Sequence, residues 1–420
     1  MSRIAVVGSG ISGMAAAWLL SRRHEVHLFE REPRLGGHTH THKIEDSRGP
    51  IAVDTGFIVH NDRTYPNLVR LFRRLGVARQ ASDMSFGVSC ERTGFEYSSR
   101  GPSGLFAQRR NLVAPRHYAF LSEILRFNRE ARKLLLDPGQ AEVKLGDYLH
   151  CNNYSQRFTD YYLYPMASAV WSTSLEEMRD FPAFTLLRFF ENHGFLGVDT
   201  HHQWYSVTGG SSQYIAPLTA PYRHRITLDA NLVGVSRAAH SATLHFNRRP
   251  PEHFDEVVLA CHGNQALGLL RDASTLEREV LGNFTTSRND ALLHTDTRLL
   301  PRRPAAWASW NYHLGTQHRR GVPHAAKVTY HMNRLQALDS DQNYCVTLNG
   351  GSAVDPEKVL QRMTYFHPLY TLDAVRAQQR WSEVSGINHT HFCGAYWMYG
   401  FHEDGLNSAI RVAQTLGVDW

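Results

Sequence analysis

The residue types that could do chemistry crowd the first sixty positions of this 420-residue sequence. Gly8, Gly10 and Gly13 stand as G-x-G-x-x-G, with Ile11 and Ser12 between them and Glu30 and Arg31 further on. Where a strand turns into a helix, such a set lets backbone approach a pyrophosphate. The first glycine serves the turn, the second the approach and the third the packing of helix on strand. The helix start offers free N–H groups and the positive end of its dipole to the phosphates. A carboxylate ending the next strand, here Glu30, can accept hydrogen bonds from a ribose diol.

The stretch Arg34–His42, RLGGHTHTH, raises a second chemistry. On a strand His38, His40 and His42 would share one face, which suits a metal ion. The other reading gives the weight to Gly36 and Gly37, a second pair that lets backbone approach a long ligand. An extended FAD needs such a pair; NAD rarely does. No carboxylate or cysteine cluster elsewhere in the sequence completes a metal site.

These residues need a frame. RIAVV (3–7) reads as a buried strand, 11–22 as an Ala/Leu-rich helix and HEVHLFE (24–30) as a second strand, the opening of a βαβ unit. IAVDTGFIV (51–59) is strand-like, and YPNLVRLFRRLGV (65–77) is an amphipathic helix with Pro in its first turn. Residues 115–195 are helical in pattern and rich in aromatics. Strand patterns return in ITLDANLVGVSR (226–237), DEVVLAC (255–261), NDALLHTD (289–296), AAWASWNYHL (305–314) and AKVTYHMN (326–333), and a helix closes the chain at about 404–416. The expected fold is α/β, a Rossmann-like dinucleotide domain with a second, α+β domain inserted. The first domain takes residues 1–75, 221–285 and 386–420. The second takes 76–220, mainly helical, and the strands and helix of 286–385.

Hydrophobic residues make up 42% of the chain, enough for more than one core. No apolar run reaches the roughly 18 residues that span a bilayer, and MSRIAVVGSG lacks the apolar region of a signal peptide. Five scattered cysteines without a CxxC pair fit a reducing compartment. The expected place is the cytoplasm, with peripheral contact to the inner face of the membrane left open. The net charge of +6 comes from 40 Arg and 5 Lys against 39 acids. The excess is scattered in pairs such as Arg22–Arg23, Arg73–Arg74 and Arg109–Arg110, whereas a nucleic-acid binder needs a denser stripe. A mildly basic surface suits anionic lipid or an acidic substrate, and equally a plain solvated face.

VVGSGISGMAAAWLL…VHLFEREPRLGGHT resembles the N-terminal signature of the FAD-dependent amine oxidase, protoporphyrinogen oxidase and phytoene desaturase superfamily. That family has a Rossmann-like FAD domain of the glutathione-reductase type and a substrate domain. Its glycine pair lies beside the pyrophosphate. The resemblance therefore makes Gly36 and Gly37 the functional pair, His38 a cofactor neighbour, and His40 and His42 strand residues. VDTGFIVHNDRTYPNL (53–68) is similar to the next family segment and implies Asp54, Thr55, Gly56 and Phe57 beside the ribityl chain or ring. DANLVGVSR (229–237) implies Val233 at the adenine, through its backbone, and FDEVVLACHGNQALGLL (254–270) implies a return to the cofactor at Ala260. CGAYWMYGFHEDGLNSAIRVAQTL (393–416) resembles the closing strand and helix and implies Gly394, Glu403, Asp404, Gly405 and Leu406 at the flavin. The implied cofactor is noncovalent FAD. Amine oxidases often set a lysine near the flavin. Lys327 is the candidate by its strand, and its plainer reading is a surface or edge lysine. With DTGFIVHNDRTYPNL, the stretches HTD…LP…AAWASWNY (294–312), VTYHMNRLQ (328–336) and YGFHEDGL (399–406) resemble more closely a bacterial subgroup of NAD/FAD-binding oxidoreductases, some of whose relatives isomerise or desaturate fatty acyl chains.

On the substrate side Tyr161, Tyr162, Tyr164, Trp171, Phe181, Phe184, Phe189 and Phe190 form either core or the lining of an apolar tunnel. Tyr396, Trp397, Tyr399 and His402 are the candidate catalytic wall at the flavin. His402 either moves a proton or hydrogen-bonds backbone. The expected activity is dehydrogenation, desaturation or double-bond isomerisation of a lipid-like substrate such as a fatty acyl chain. Oxygen or a quinone would take the electrons of any net oxidation. Oxidation of an amine and a flavin-binding partner protein without turnover are the alternatives.

Overall fold

Short apolar runs buried on both faces make parallel strands, and five of them form the sheet that carries the glycine motif. β1 (Arg3–Val7) lies between β2 (Glu25–Phe29) and β14 (Glu256–Leu259). β10 (Ile226–Thr227) extends the sheet beyond β2, and β20 (Thr390–Phe392) extends it beyond β14, all parallel. Val6 stands opposite Leu28 on one side and Val258 on the other. Helix α1 (Ile11–Leu20) crosses from β1 to β2 with every residue but Trp18 buried, because the last helix, His402–Thr415, packs over it. The structure, a computed structural model, describes residues 1–136, 142–197, 202–315 and 327–420.

The strand order reverses at β1. The chain leaves toward β2 and returns on the other side at β14. In open α/β sheets such a switch point opens a crevice at the carboxyl ends of the strands, where ligands bind. Gly8, Glu30, Ala260 and Gly394 all stand at those ends.

A second sheet has the order β19 (Val359–Pro368), β15 (Thr286–His294), β18 (Cys345–Leu348), β17 (Val328–His331), β16 (Trp310–Leu314), β7 (Phe86–Cys90) and β8 (Phe95–Ser98). Neighbours are antiparallel except β16 with β7. Helices Pro115–Leu134, Leu145–Cys151, Tyr164–Trp171 and Ala183–Asn192 realise the helical pattern of the aromatic segment. Phe120, Phe127, Phe158, Trp171 and Phe190 from that segment share one core with Val88, Leu293, Val328 and Val346 of the sheet. Another core joins the parallel sheet to α1, α2 (Pro66–Leu75) and the last helix. Three ribbons complete the frame: β3 (Thr41–Ile44) with β4 (Ile51–Asp54); β9 (Trp204–Val207) between β5 (Val59–Asn61) and β6 (Arg79–Ser82); and β12 (Ser241–Phe246) between β11 (Leu232–Ala238) and β13 (Glu252–Phe254).

Some runs that read as single strands are broken. IAVDTGFIV stops after Asp54 because Gly56 passes so close beneath the preceding loop that a Cβ would lie 2.1 Å from the His38 carbonyl. There Thr55 N–H and Phe57 N–H donate to the His40 and His38 carbonyls at 2.9 and 2.8 Å. ITLDANLVGVSR breaks at Asp229 and Asn231, whose φ values are +48° and +49°. One piece enters the parallel sheet and the other the β11–β13 ribbon. AAWASWNYHL is strand only from Trp310, after a 3-10 turn that opens on Pro304. His38 and His40 precede β3, so the three histidines do not lie along one strand. Among the described residues no helix is long and apolar enough to cross a membrane.

Candidate active site

Backbone approach builds the floor of the crevice. A Cβ on Gly13 would lie 1.9 Å from the Gly8 carbonyl, which seats α1 on β1, whereas one on Gly10 would meet nothing within 4 Å. Gly10 thus borders open space at a helix start, where N–H groups have no helical partner. Gly37, at φ +57°, lies against it, with a Cβ position 3.1 Å from the Gly10 Cα. Gly36 N–H donates to the Ser9 carbonyl at 3.0 Å. The Glu30 carboxylate accepts the Ser9 N–H at 2.8 Å, the Ser9 hydroxyl at 2.6 Å and the Glu32 N–H at 2.9 Å.

The rest of the expected nucleotide end gathers around this floor. Ala230 N–H donates to the Glu30 carbonyl at 2.9 Å. This brings the chain entering β11 beside Glu30, and Val233 there is 48% exposed. The Ala260 carbonyl closes the far side of the glycine turn, 2.9 Å from a Cβ position on Gly8. Ile11 and Ser12 are buried under the last helix, where a Cβ on Gly405 would come within 2.8 Å of each. Arg31 points outward and pairs with exposed Glu32 at 3.2 Å.

Beside the floor lies a group of imidazoles and a phenol. His38 packs 5.2 Å from both Tyr365 and His367 of β19 and 6.2 Å from His262, which follows β14. The Tyr365 hydroxyl meets Thr55 Oγ1 at 2.7 Å and His40 Nδ1 at 2.9 Å. Burial, with neighbouring imidazoles, holds His38 well below the ordinary range, and burial holds His262 and His367 at about 4. All three are neutral near pH 7. His402 stacks on Phe57 at 3.7 Å. Its Nε2 meets Thr39 Oγ1 at 3.0 Å and the Tyr214 hydroxyl at 3.3 Å. Burial drives it down to about 3.

The sequence reading missed His262, Tyr365 and His367. A signal existed. Tyr365-x-His367 repeats on β19 the every-other spacing of RLGGHTHTH, and His262 sits in the ACHG turn. Lys327 is not brought to this group. It precedes β17, three strands from β19, and its carbonyl accepts the His313 N–H at 3.0 Å.

Several acids of the cofactor motifs serve the frame through their side chains. Asp54 is buried and accepts from the Ser211 N–H at 2.9 Å, the Ser211 hydroxyl at 2.8 Å, Gln336 Nε2 at 2.8 Å and the Thr41 hydroxyl. Burial raises it to about 6. Glu403 accepts the N–H groups of Asn67 and Leu68 at 3.0 and 2.8 Å, capping α2. Asp404 accepts the Phe401 N–H at 2.9 Å at the start of its own helix.

The four wall candidates separate. Tyr396 and Trp397 each pack 4.8 Å from Phe284, near the end of β20. Tyr399 lies 6.1 Å from Phe189, and its carbonyl accepts Trp171 Nε1–H at 3.2 Å. His402 stays with Phe57. Leu406 is fully buried, and Gly394 N–H donates to Ser408 Oγ at 3.0 Å.

The residues fit a dinucleotide. His38 Nε2, the Tyr396 hydroxyl and Trp397 Nε1 are buried without a partner among the described residues, and such groups usually find one. The glycine cleft leaves open space over Gly10, and Glu30 stands beside it at the carboxyl end of β2. Glu30→Ala should weaken FAD binding by about 1.5–3 kcal/mol, the scale of hydrogen bonds to a charged group. Titration of the apoprotein with FAD measures this. Unchanged affinity would place the ribose elsewhere.

The family model for flavin containing amine oxidoreductase matches residues 11–311. Cyclohexylamine oxidase from Brevibacterium oxydans IH-35A has a similar structure at 14% identity and a TM-score of 0.66, over 99% of each chain. Putrescine oxidase bound to putrescine aligns at 13% identity and 0.67, over 99% of this chain and 98% of that one. A CLA-producing fatty acid isomerase from P. acnes aligns at 16% identity and 0.66, over 99% of each chain. No curated protein matches the chain in sequence. At such identities the structural likeness speaks for the fold, a Rossmann-like FAD domain with a substrate domain. The family match runs from the first turn of α1 into β16 and so takes in strands of both sheets. The chain belongs to the flavin containing amine oxidoreductase family, as an oxidoreductase enzyme whose cofactor is FAD.

Proposed function

We propose that the chain dehydrogenates, or shifts a double bond within, a largely apolar substrate of the fatty acyl class. FAD supplies the hydride acceptor; the protein supplies orientation, electrostatics and exclusion of water. Backbone at Gly8–Gly13 and at Gly36 and Gly37 would hold the pyrophosphate, Glu30 the ribose and Val233 the adenine, without a covalent link. His38, Thr55, Gly56, Phe57, Gly394, Gly405 and Leu406 would surround the flavin end.

The observation that carries the substrate reading is a buried, uncharged aromatic cluster. Trp171 lies 4.7 Å from Phe181, 4.8 Å from Phe189 and 6.4 Å from Phe401, and Phe401 stacks on Phe189 at 4.9 Å. Tyr399 adjoins this group, and the imidazoles near the crevice are held neutral. A hydrocarbon chain sheds water here at little cost. An ammonium would lose hydration against neutral rings, and the nearby acids Glu403 and Asp404 are engaged as helix caps. His402, with Thr39 and Tyr214, is the group placed to hold or move a proton at Nε2. The likeness in fold to a fatty acid isomerase from P. acnes supports this reading.

Amine oxidation is the second reading, favoured by the family model and by the two amine oxidases of the same fold. Anaerobic titration of the yellow holoenzyme separates them. An unsaturated long-chain fatty acid is expected to shift or bleach the flavin bands at roughly tenfold lower concentration than cyclohexylamine or putrescine, about 1.4 kcal/mol in apparent affinity. Bleaching by the amines alone would give the second reading first place.

A further inference from the structure

The positive charge of this chain is concentrated. Residues 109–133 hold six Arg and one Lys against two Glu, five of the six net charges of the whole protein. What reads along the sequence as one dispersed pair, Arg109–Arg110, is part of a single face. The segment folds as a 3-10 turn, Arg109–Val113, followed by the 20-residue helix Pro115–Leu134. Phe120, Phe127 and Ala131 face inward and are buried. Tyr118, Ser122, Leu125, Arg129 and Arg132 follow at spacings of three and four, one stripe of a helix, and all are exposed.

That outer face is apolar as well as basic. Leu112, Val113, Tyr118, Leu125 and Leu136 are 51, 84, 49, 52 and 84% exposed, five of the twelve large hydrophobic side chains left open among the described residues. Single exposed leucines need no explanation; a group of them rimmed by arginines marks an interaction surface. Beside it opens a cavity of about 570 Å³ whose lining includes Arg110, Arg298, Arg302 and Arg303 as well as Glu91 and Glu96. Arg303 pairs with Glu96 at 2.9 Å and Arg298 with Asp296 at 2.7 Å. The Arg302 N–H donates to Glu96 Oε1 at 2.8 Å, but no side-chain ion pair engages the guanidinium of Arg110 or Arg302 among the described residues, which leaves both to face an anion.

We infer that this face docks on an anionic phospholipid bilayer. Leu112, Val113, Tyr118 and Leu125 enter the boundary between headgroups and acyl chains, and Arg109, Arg110 and Arg129 meet lipid phosphates. Apolar side chains ringed by arginine are the pattern of a helix that lies in a membrane interface. A nucleic-acid backbone would engage the arginines but offers Leu112 and Val113 nothing to enter. The inference does not depend on which substrate is turned over.

The test is flotation of the holoenzyme with vesicles of phosphatidylglycerol and phosphatidylcholine in equal parts, against phosphatidylcholine alone. Binding to the mixed vesicles at physiological salt is expected, with little binding to phosphatidylcholine. Leu112→Ser with Val113→Ser, and separately Arg109→Glu with Arg110→Glu, should each weaken it by roughly tenfold or more. Both variants alter an exposed turn, and an unchanged flavin spectrum reports that they remain folded. In a Tyr118→Trp variant, added fluorescence that brominated acyl chains quench gives a second reading of insertion. Loss of binding in the charge variant alone would make the face a polyanion site and overturn the lipid assignment. Absence of binding to the mixed vesicles, or equal binding by parent and both variants, would overturn it outright.

Discussion

Gly37→Val should give a colourless protein. At φ +57° a branched side chain is strained, at a cost on the order of 1–3 kcal/mol. Its Cβ would stand 3.1 Å from the Gly10 Cα, and its methyl groups would fill the space that Gly10 leaves open for a pyrophosphate. Strain and steric exclusion together are expected to lower FAD affinity by at least about a hundredfold, roughly 2.8 kcal/mol. Absorbance of the purified protein in the visible flavin bands, with FAD assayed after acid release, measures the loss. Gly49→Ala is the control. Gly49 also has a positive φ, +112°, but a Cβ there meets nothing within 4 Å, so that variant should stay yellow. A yellow Gly37→Val enzyme would place the phosphates elsewhere.

Stability should fall steeply as the pH drops from about 6 to about 5. Burial holds His60, His193 and His294 at about 4 and His402 at about 3. Unfolded, each titrates near its ordinary value of about 6.5. A depressed imidazole contributes stability that is whole above the unfolded value and lost as the pH falls toward the folded one. Two carboxyls act the other way. Burial raises Asp54 to about 6, and burial with Glu403 raises Asp404 to about 7. In this window they bind a proton in the folded state that the unfolded chain, at about 3.9, does not. Four imidazoles against two carboxyls leave a net uptake of two protons on unfolding. At about 1.4 kcal/mol per proton and pH unit, this costs about 2.7 kcal/mol per unit. His38, His262 and His367 add in the same direction. Denaturant midpoints of the holoenzyme measured across this range check the slope. A midpoint flat between pH 6 and 5 would mean that these imidazoles are charged in the folded protein.

The parallel sheet and its phosphate turn were legible in the sequence because they are local. Val7, Gly8, Gly13 and Glu30 belong to one βαβ unit, and every spacing that shapes its turn is set by neighbours along the chain. The same locality makes Gly36 and Gly37 readable, and it makes the helices of the aromatic segment visible by their period. The breaks in IAVDTGFIV and ITLDANLVGVSR were not legible. The first comes from the His38 loop pressing on Gly56, a contact between segments.

By itself the sequence determined the nucleotide fold, the FAD type of cofactor and the residues of its glycine cleft. Only tertiary structure brought His262, Tyr365 and His367 beside His38. His38 comes from a loop, His262 from the turn after β14, and Tyr365 and His367 from a strand of the second sheet, and no spacing links one segment to another. Shared burial lowers the proton affinity of the three imidazoles and raises that of the Tyr365 hydroxyl, and it exists only once the two sheets have closed on each other. Tertiary structure also decided what the acids do. Asp54 and Glu403 stand in cofactor motifs, yet their oxygens accept from Ser211 and Gln336 and from the start of α2. Those donors reach them only after packing, and a buried donor left without an acceptor would cost more than the motif could spare. Arg109, Arg110 and Arg129 follow the same rule: separated along the chain, they share an outer face when the 3-10 turn and the helix after it lie along the outside of the aromatic core.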